Sequence, residues 1–319
     1  SCGLFLKSTC AGVLSWAAAG GGLNSCADAI ISNGYGIVIG HCAQLTGATH
    51  PNNDTGEMQI IGTAGNDSQI AFINHSTSAG TYGKIQFARS RNTTVGSHTI
   101  LQDGDVLGGF HWFGCDGNDF QNYGAKLVVK VDGSPGNNSM PGKMEFYTAT
   151  EAACGNTLAM TIDHDGIITT PKQPAFLETI ATTIANETGD GTAYVVVWDN
   201  EVFDQNADFS TSTFTAPVTG RYRLSLVISL SGIGSGQVDA RVLLTATNRV
   251  VQHHWHGYNV RNGTSGTSGT SITTLMDMDA SDTVTVTALS GPSGQSKDVD
   301  VEGTGGSNAY SFFSGELVA

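Results

Sequence analysis

Ten residues set the terms for this chain. In Arg221-Tyr222-Arg223-Leu224-Ser225-Leu226-Val227-Ile228-Ser229-Leu230, the residues Tyr222, Leu224, Leu226, Ile228 and Leu230 fall on one side of an extended backbone. Arg221, Arg223, Ser225 and Ser229 fall on the other. Side chains alternate across a strand, so this run predicts a β-strand with one buried and one solvated face. Thr283-Val284-Thr285-Val286-Thr287-Ala288 repeats the pattern, and residues 239–249 and 252–260 read as two further strands. The rest of the composition agrees. Glycine reaches 42 residues, and the polar remainder is dominated by Thr, Ser and Asn, all poor helix formers. Hydrophobic residues make up 39%, enough to bury a core. Only seven are proline, which excludes a collagen or a polyproline linker.

Charge narrows the partners. Lys and Arg together number 14 against 28 Asp and Glu, a formal net charge of −14. Phosphate binding needs Lys and Arg to release counterions, so nucleic acid is excluded as a partner, and an anionic membrane surface is equally disfavoured. No apolar run reaches the roughly 18 residues of a membrane span, so no membrane insertion is expected. Ser1 is not an initiator Met and Leu4–Leu6 is too short for a signal-peptide core, which predicts a piece of a longer or processed polypeptide. The six cysteines match no CxxC pattern, and free buried thiols are favoured over bridges.

Length predicts two or three domains, and texture divides the chain in three. Residues 1–79 carry short apolar bursts (Ile37-Val38-Ile39, Ile60-Ile61, Ile70-Ala71-Phe72-Ile73) punctuated by Gly, Asn and Asp. They read as a short-strand β shaft that needs neighbouring copies to finish its core, with one or two helical turns at Leu14–Ala19. Residues 80–173 read as a middle β domain. Its strands are expected at Lys84–Ala88, Ala125–Val131, Met144–Thr148 and Leu158–Ile162, with turns at Asp132-Gly133 and Asp165-Gly166. Residues 174–319 hold the alternating strands already described. The closing run Tyr310-Ser311-Phe312-Phe313-Ser314-Gly315-Glu316-Leu317-Val318 has aromatics on both faces, and such a strand must be covered on both. The low-complexity run 263–271 reads as a flexible loop between strands.

Several of these motifs resemble known families. Gly189-Asp190-Gly191-Thr192, Val202-Phe203-Asp204-Gln205-Asn206-Ala207-Asp208-Phe209 and Thr213-Phe214-Thr215-Ala216-Pro217-Val218-Thr219-Gly220-Arg221-Tyr222 resemble a C1q/TNF-like head domain. So does the closing Ser311–Leu317. The resemblance covers residues 174–319 and implies a ten-stranded jelly-roll sandwich that assembles as a compact homotrimer and binds partners. Lys84-Ile85-Gln86-Phe87-Ala88-Arg89-Ser90-Arg91, Gly104–Gly108, Gly114–Gly117, Pro141–Phe146 and Met160-Thr161-Ile162-Asp163-His164-Asp165-Gly166 are similar to the distal part of phage tail fibres. Asn33–Gly40 resembles the short-strand β-rolls of trimeric adhesins.

Candidate chemistry is sparse. GxSxG, HExxH and Walker A sequences are all missing, and Ile39 stands where the third glycine of a GxGxxG would be. The chain is therefore not expected to be an enzyme. In His253-His254-Trp255-His256, the i, i+2 pair His254 and His256 could ligate zinc or nickel, but a polar aromatic strand is the favoured reading. Asp298, Asp300 and Glu302 share one strand face, where mutual repulsion calls for a cation such as Ca2+, or for solvent. No cofactor is required. Receptor contacts are assigned to Trp255, Tyr258 and Arg261, within a loop running from Arg261 to Ser271, and the trimer interface to Tyr310, Phe312 and Phe313.

The expectation is an all-β, homotrimeric fibre fragment: a short-strand β shaft, a middle β domain and a C1q/TNF-like jelly-roll sandwich. The functional expectation is a virion tail fibre or receptor-binding protein, extracellular and held to other tail or baseplate proteins. It attaches to a host surface glycan or protein through three heads acting together. The alternatives are a structural virion spike without a receptor, and a polysaccharide-cutting tail spike.

Overall fold

The computed structural model describes residues 6–9, 13–16, 37–39, 56, 58–65, 68–151, 155–234, 236–255, 266–292, 295–304 and 308–319. Among these there are strands and turns but no helix. The chain divides into two compact units, Ser1–Thr169 and Thr170–Ala319.

In the first unit, β1 (Leu6–Thr9) pairs antiparallel with β2 (Val13–Trp16), and β3 (Ile37–Ile39) pairs parallel with β4 (Met58–Ile60). The helical turn expected from Leu14 is therefore corrected through Trp16, where Val13 to Trp16 extend into a ladder; the remainder lies outside the described residues. A five-stranded antiparallel meander follows: β5 (Val106–Gly114), β6 (Asn122–Val131), β7 (Gly142–Ala149), β8 (Asn156–Ile162) and β9 (Ile168–Thr169). The turn at Asp165-Gly166 forms: Gly166 takes φ of +80°, a region open to glycine, and the Asp163 carboxylate accepts from Asp165 N and Ile167 N. Asp132-Gly133 is only a bend, Gly133 at φ +117°, and the β6–β7 hairpin turns at Gly136–Ser139.

The alternation at Lys84–Ala88 does not become a strand, and neither does the burst at Ile70–Ile73. Residues 68–105 run without any ladder, and Ile70, Phe72, Ile73, Tyr82, Ile85 and Phe87 are all exposed. A strand needs a partner for its backbone groups, and this segment finds none among the described residues. Its end is nevertheless anchored. Asp105 is 8% exposed and takes a two-point contact from Arg91 at 2.7 and 3.2 Å, which holds its carboxyl below the usual range.

The second unit begins with β10 (Ala175–Thr179), β11 (Thr182–Thr188), β12 (Tyr194–Val195), β13 (Asn200–Asp204), β14 (Phe209–Ser210) and β15 (Thr213–Thr215). It continues with β16 (Gly220–Ser231), β17 (Asp239–Ala246), β18 (Val250–Trp255), β19 (Ser268–Met278), β20 (Thr283–Gly291), β21 (Val299–Thr304) and β22 (Phe312–Leu317). Eight of these nest in pairs: β10 with β22, β15 with β20, β16 with β19, and β17 with β18. First pairs with last, second with seventh, third with sixth, fourth with fifth. The layers β10-β22-β16-β19 and β15-β20-β17-β18 make a jelly-roll sandwich. β13 extends one layer beyond β10, β21 pairs with the end of β16, and β11 lies outside β21.

The alternation of Tyr222 to Leu230 is realised along β16. Tyr222, Leu224, Ile228 and Leu230 have no exposed surface and Leu226 has 1%. Burying each such side chain stabilises the fold by roughly 1.5–3 kcal/mol. The Tyr222 hydroxyl remains satisfied at this depth, donating to Val218 O at 2.7 Å. Strand β19 starts at Ser268, so the low-complexity run is a strand from that point and not a loop. Thr and Ser suit an exposed strand position, and the ladder to β16 supplies what the composition hides.

Candidate functional site

Phe313 settles the reading of the last strand. It is fully buried inside its own sandwich, in edge-to-face contact with Phe176 at 5.1 Å and against Trp198 at 5.9 Å. It cannot meet a neighbouring copy, so its assignment to a subunit interface is corrected. Period-two alternation sends Phe313 inward and Phe312 outward, and Phe312 is half-buried. Tyr310 precedes the strand and is exposed.

The outward face of β10-β22-β16-β19 is correspondingly apolar at its middle. Phe312 lies between Thr179 on β10 and Val227 on β16, and Leu177 lies between Ser314 and Phe203. Ser225, Thr273 and the ion pair of Arg223 with Glu316 at 2.9 Å surround this stripe. Sequence reasoning found Phe312 but missed Leu177 and Val227, although both follow from counting alternate positions beside buried neighbours.

The assigned receptor residues divide. Tyr258 and Arg261 lie outside the described residues. Trp255 ends β18 half-buried, its indole N–H donating to Ser268 Oγ at 2.9 Å and its ring stacked 6.4 Å from His253. His253 Nδ1 bonds in turn to Thr270 Oγ1. Both side chains are thus tied to β19. His254 Nδ1 lies 3.5 Å from Asp239 Oδ1, and its expected partner His256 lies outside the described residues.

The three carboxylates of the acidic strand are each met by a separate protein donor. Asp298 precedes β21 and accepts from Gln237 Nε2 at 2.8 Å; Asp300 accepts from Asn186 N at 2.7 Å; Glu302 accepts from Thr183 Oγ1 at 3.3 Å. Each carboxylate is relieved by its own donor. Among the described residues no group of three or more His, Cys, Asp and Glu side chains is arranged to hold a metal. The calcium expectation at Asp298, Asp300 and Glu302 is corrected accordingly. Cys115 is a free thiol, but exposed and not buried.

A different acidic group stands out. Glu178 on β10 is 3% exposed and points inward, because it shares the register of Phe313. Its cross-strand neighbour on β13 is Glu201. Both line a cavity of about 280 Å3 with Trp198, Asp199, Phe209, Ser210, Thr211 and Ser212. Burial, with Glu201 and Asp204 nearby, pushes the Glu178 carboxyl up to about 7. The Trp198 indole N–H is buried without a partner among the described residues. The turn between β14 and β15 places Thr211 and Ser212 at φ of 52° and 61°, and Ser212 Oγ accepts from Trp198 N at 2.9 Å. Sequence reasoning passed over Phe176-Leu177-Glu178-Thr179. The signal was there: Phe176 and Glu178 two apart put a carboxyl on the inward face.

No protein-family model matches the chain. No curated protein matches it either. Among solved structures, the globular domain of a zebrafish complement 1qA protein is similar at 20% identity, covering 46% of this chain and 98% of that one, with a TM-score of 0.32. A crystal structure of murine APRIL at pH 8.5 is similar at 9% identity, covering 46% of this chain and all of that one, with a TM-score of 0.32. The strand order given above, and not these likenesses, defines the second unit as a jelly roll.

Proposed function

We propose that the chain is the adhesive end of a virion tail fibre, assembled as a homotrimer, that attaches the particle to a host surface. One observation carries the reading. Among the described residues of the first unit, a run of apolar side chains is exposed: Ile70, Phe72, Ile73, Tyr82, Ile85 and Phe87, and then Phe110 and Trp112 on β5. A single-layer sheet with a ladderless apolar segment leaves apolar surface that further copies of the chain would cover. Three copies around an axis are the arrangement that the fibre-like motifs at 84–91 and 160–166 imply. The head adds the outward stripe of Leu177, Val227 and Phe312 as its part of the contact.

Attachment then follows from multiplicity. Three equivalent heads raise the effective concentration of each weak contact without new chemistry. Competition tests this. Purified protein added together with particles that carry it should block their adsorption to cells. Stable trimers that block nothing would favour a structural spike. Release of reducing ends from the cell-surface polysaccharide would favour a polysaccharide-cutting spike instead.

A further inference from the structure

Two cavities and one buried polar cluster lie outside the expected sites. The cavity at Thr219, Arg221, Asn248 and Asp279 has its groups matched: Thr219 Oγ1 accepts from Ala280 N at 3.0 Å, and Asn248 donates to Asp277 O at 3.1 Å. The cluster of Lys130, Glu145 and Tyr147 is closed on itself, with Lys130 Nζ at 2.7 Å and Tyr147 OH at 2.5 Å from Glu145 Oε2. The cavity at Glu178 differs from both.

There, Glu178 is 3% exposed, whereas Glu201 and Asp199 are exposed at the cavity mouth, Asp199 accepting from Ala181 N at 2.7 Å. None of the three carboxylates has a cationic partner among the described residues; the head's Arg223, Arg241 and Arg249 are held by Glu316, Asp239 and Asp277. Like charges directly opposite on two strands destabilise a sheet, and burial makes the charged form of Glu178 costly.

We propose that this cavity binds a primary ammonium group carried on a short apolar stem. The charge is set by Glu178 and by Glu201 opposite it. The stem is set by Trp198 and Phe209, whose rings give apolar walls, Trp198 also offering its face to a cation. The hydroxyls of Ser210, Thr211 and Ser212 supply further acceptors for the ammonium hydrogens. A metal ion is not the occupant, since no three ligating groups converge here. An ammonium brings its own three donors and needs only one or two carboxylates. Burial and the nearby Glu201 and Asp204 raise the proton affinity of Glu178, and a cation seated beside it would offset that rise. The site stands whether or not the head attaches particles to cells.

Calorimetric titration of the full chain with n-butylammonium chloride tests it, with n-butanol as the neutral control. The expected result is saturable binding of the ammonium at one site per chain, none of the alcohol, and loss of about tenfold or more in affinity on Glu178→Gln. That variant removes a charge from a buried position and should fold at least as well as the parent. Asp277→Asn removes the same charge from β19, where Asp277 pairs with Arg249 and lines no part of this cavity, and should leave binding unchanged. Two further arms separate the sources of the amine. Saturation by glucosamine but not N-acetylglucosamine assigns it to an amino sugar. Saturation by a lysyl tripeptide but not its Nε-acetyl form assigns it to a protein side chain. Binding unaffected by Glu178→Gln, or weakened equally by Asp277→Asn through the net charge alone, overturns the proposal, as does any failure to saturate.

Discussion

Glu178 and Phe313 sit side by side in register, and between them they show what one residue can decide. The unfolded chain releases the Glu178 proton near 4.5, whereas the folded chain holds it to about 7. Below pH 4.5 both states carry the proton and the residue is neutral to stability. As pH rises from 4.5 to 7 the unfolded state ionises first, so the fold weakens, and above 7 the loss is complete. At ~1.36 kcal/mol per pKa unit the full effect is about 3 kcal/mol. Glu178→Gln should therefore raise the melting temperature at pH 8 and change it little at pH 4; an equal rise at both would refute the ionisation account. Asp132 acts in the opposite sense. His164 and Lys143 hold its carboxyl at about 2, so its contribution is full above pH 4 and fades as pH falls toward 2. Phe313 contributes by volume. Phe313→Ala opens a void beside Phe176, Trp198 and Phe209 and should cost about 3–5 kcal/mol in urea unfolding. The inward side of such strands was legible in the sequence, since alternation alone identified Tyr222 to Leu230. Phe312-Phe313 was not, because two adjacent aromatics give no hint of which one faces the core until the partner strands fix the register.

At the level of elements, the tight connection from β14 to β15 breaks a local rule. Two-residue hairpin turns need positive φ at both central positions and favour Asn-Gly, yet this one is Thr211-Ser212. A β-branched residue at positive φ is strained by about 1–3 kcal/mol. Ser212 is retained by its bond to the Trp198 backbone, which leaves Thr211 as the position free to improve. Thr211→Asn should stabilise the chain by about 1 kcal/mol in the same urea measurement, and a loss would show that Thr211 makes a compensating contact. The turn at Asp165-Gly166 was read correctly because the glycine itself announces the conformation, whereas Asp132-Gly133 only bends the chain before the hairpin turn at Gly136–Ser139. Thr-Ser announces nothing, and neither did Gly269-Thr270-Ser271, which only the long ladder of β19 against β16 turns into a strand. Gly315 shows the converse constraint: a Cβ there would lie 2.5 Å from Phe176 and 2.8 Å from Leu224, so β22 passes through the core only as glycine.

The two units bury their residues very differently. The second unit encloses a continuous apolar core, whereas the first exposes aromatic and aliphatic side chains along residues 70–112. That contrast was legible only at Ile70–Ile73, where a short burst between turn residues implied a segment that cannot finish its core alone; residues 80–112 read as part of a β domain. The sequence did not reveal that Lys84–Ala88 stays unladdered, because alternation reports which side would be buried and not whether a partner strand exists. Assembly is the measurable consequence. One chain has a mass of 33.1 kDa, so three should sediment at about 99 kDa, and no folded monomer should persist at low concentration. Phe312→Asp places a charge on the outward stripe with Leu177 and Val227 without touching the buried face of β22. In an assembled head that charge would be desolvated without a partner, which costs several kcal/mol per site. The variant should therefore lose its trimeric mass while its far-ultraviolet spectrum stays that of a β protein. Wild-type protein sedimenting as a single chain at micromolar concentration would refute the assembly outright. A Phe312→Asp protein that remained trimeric would move the head contact to another face.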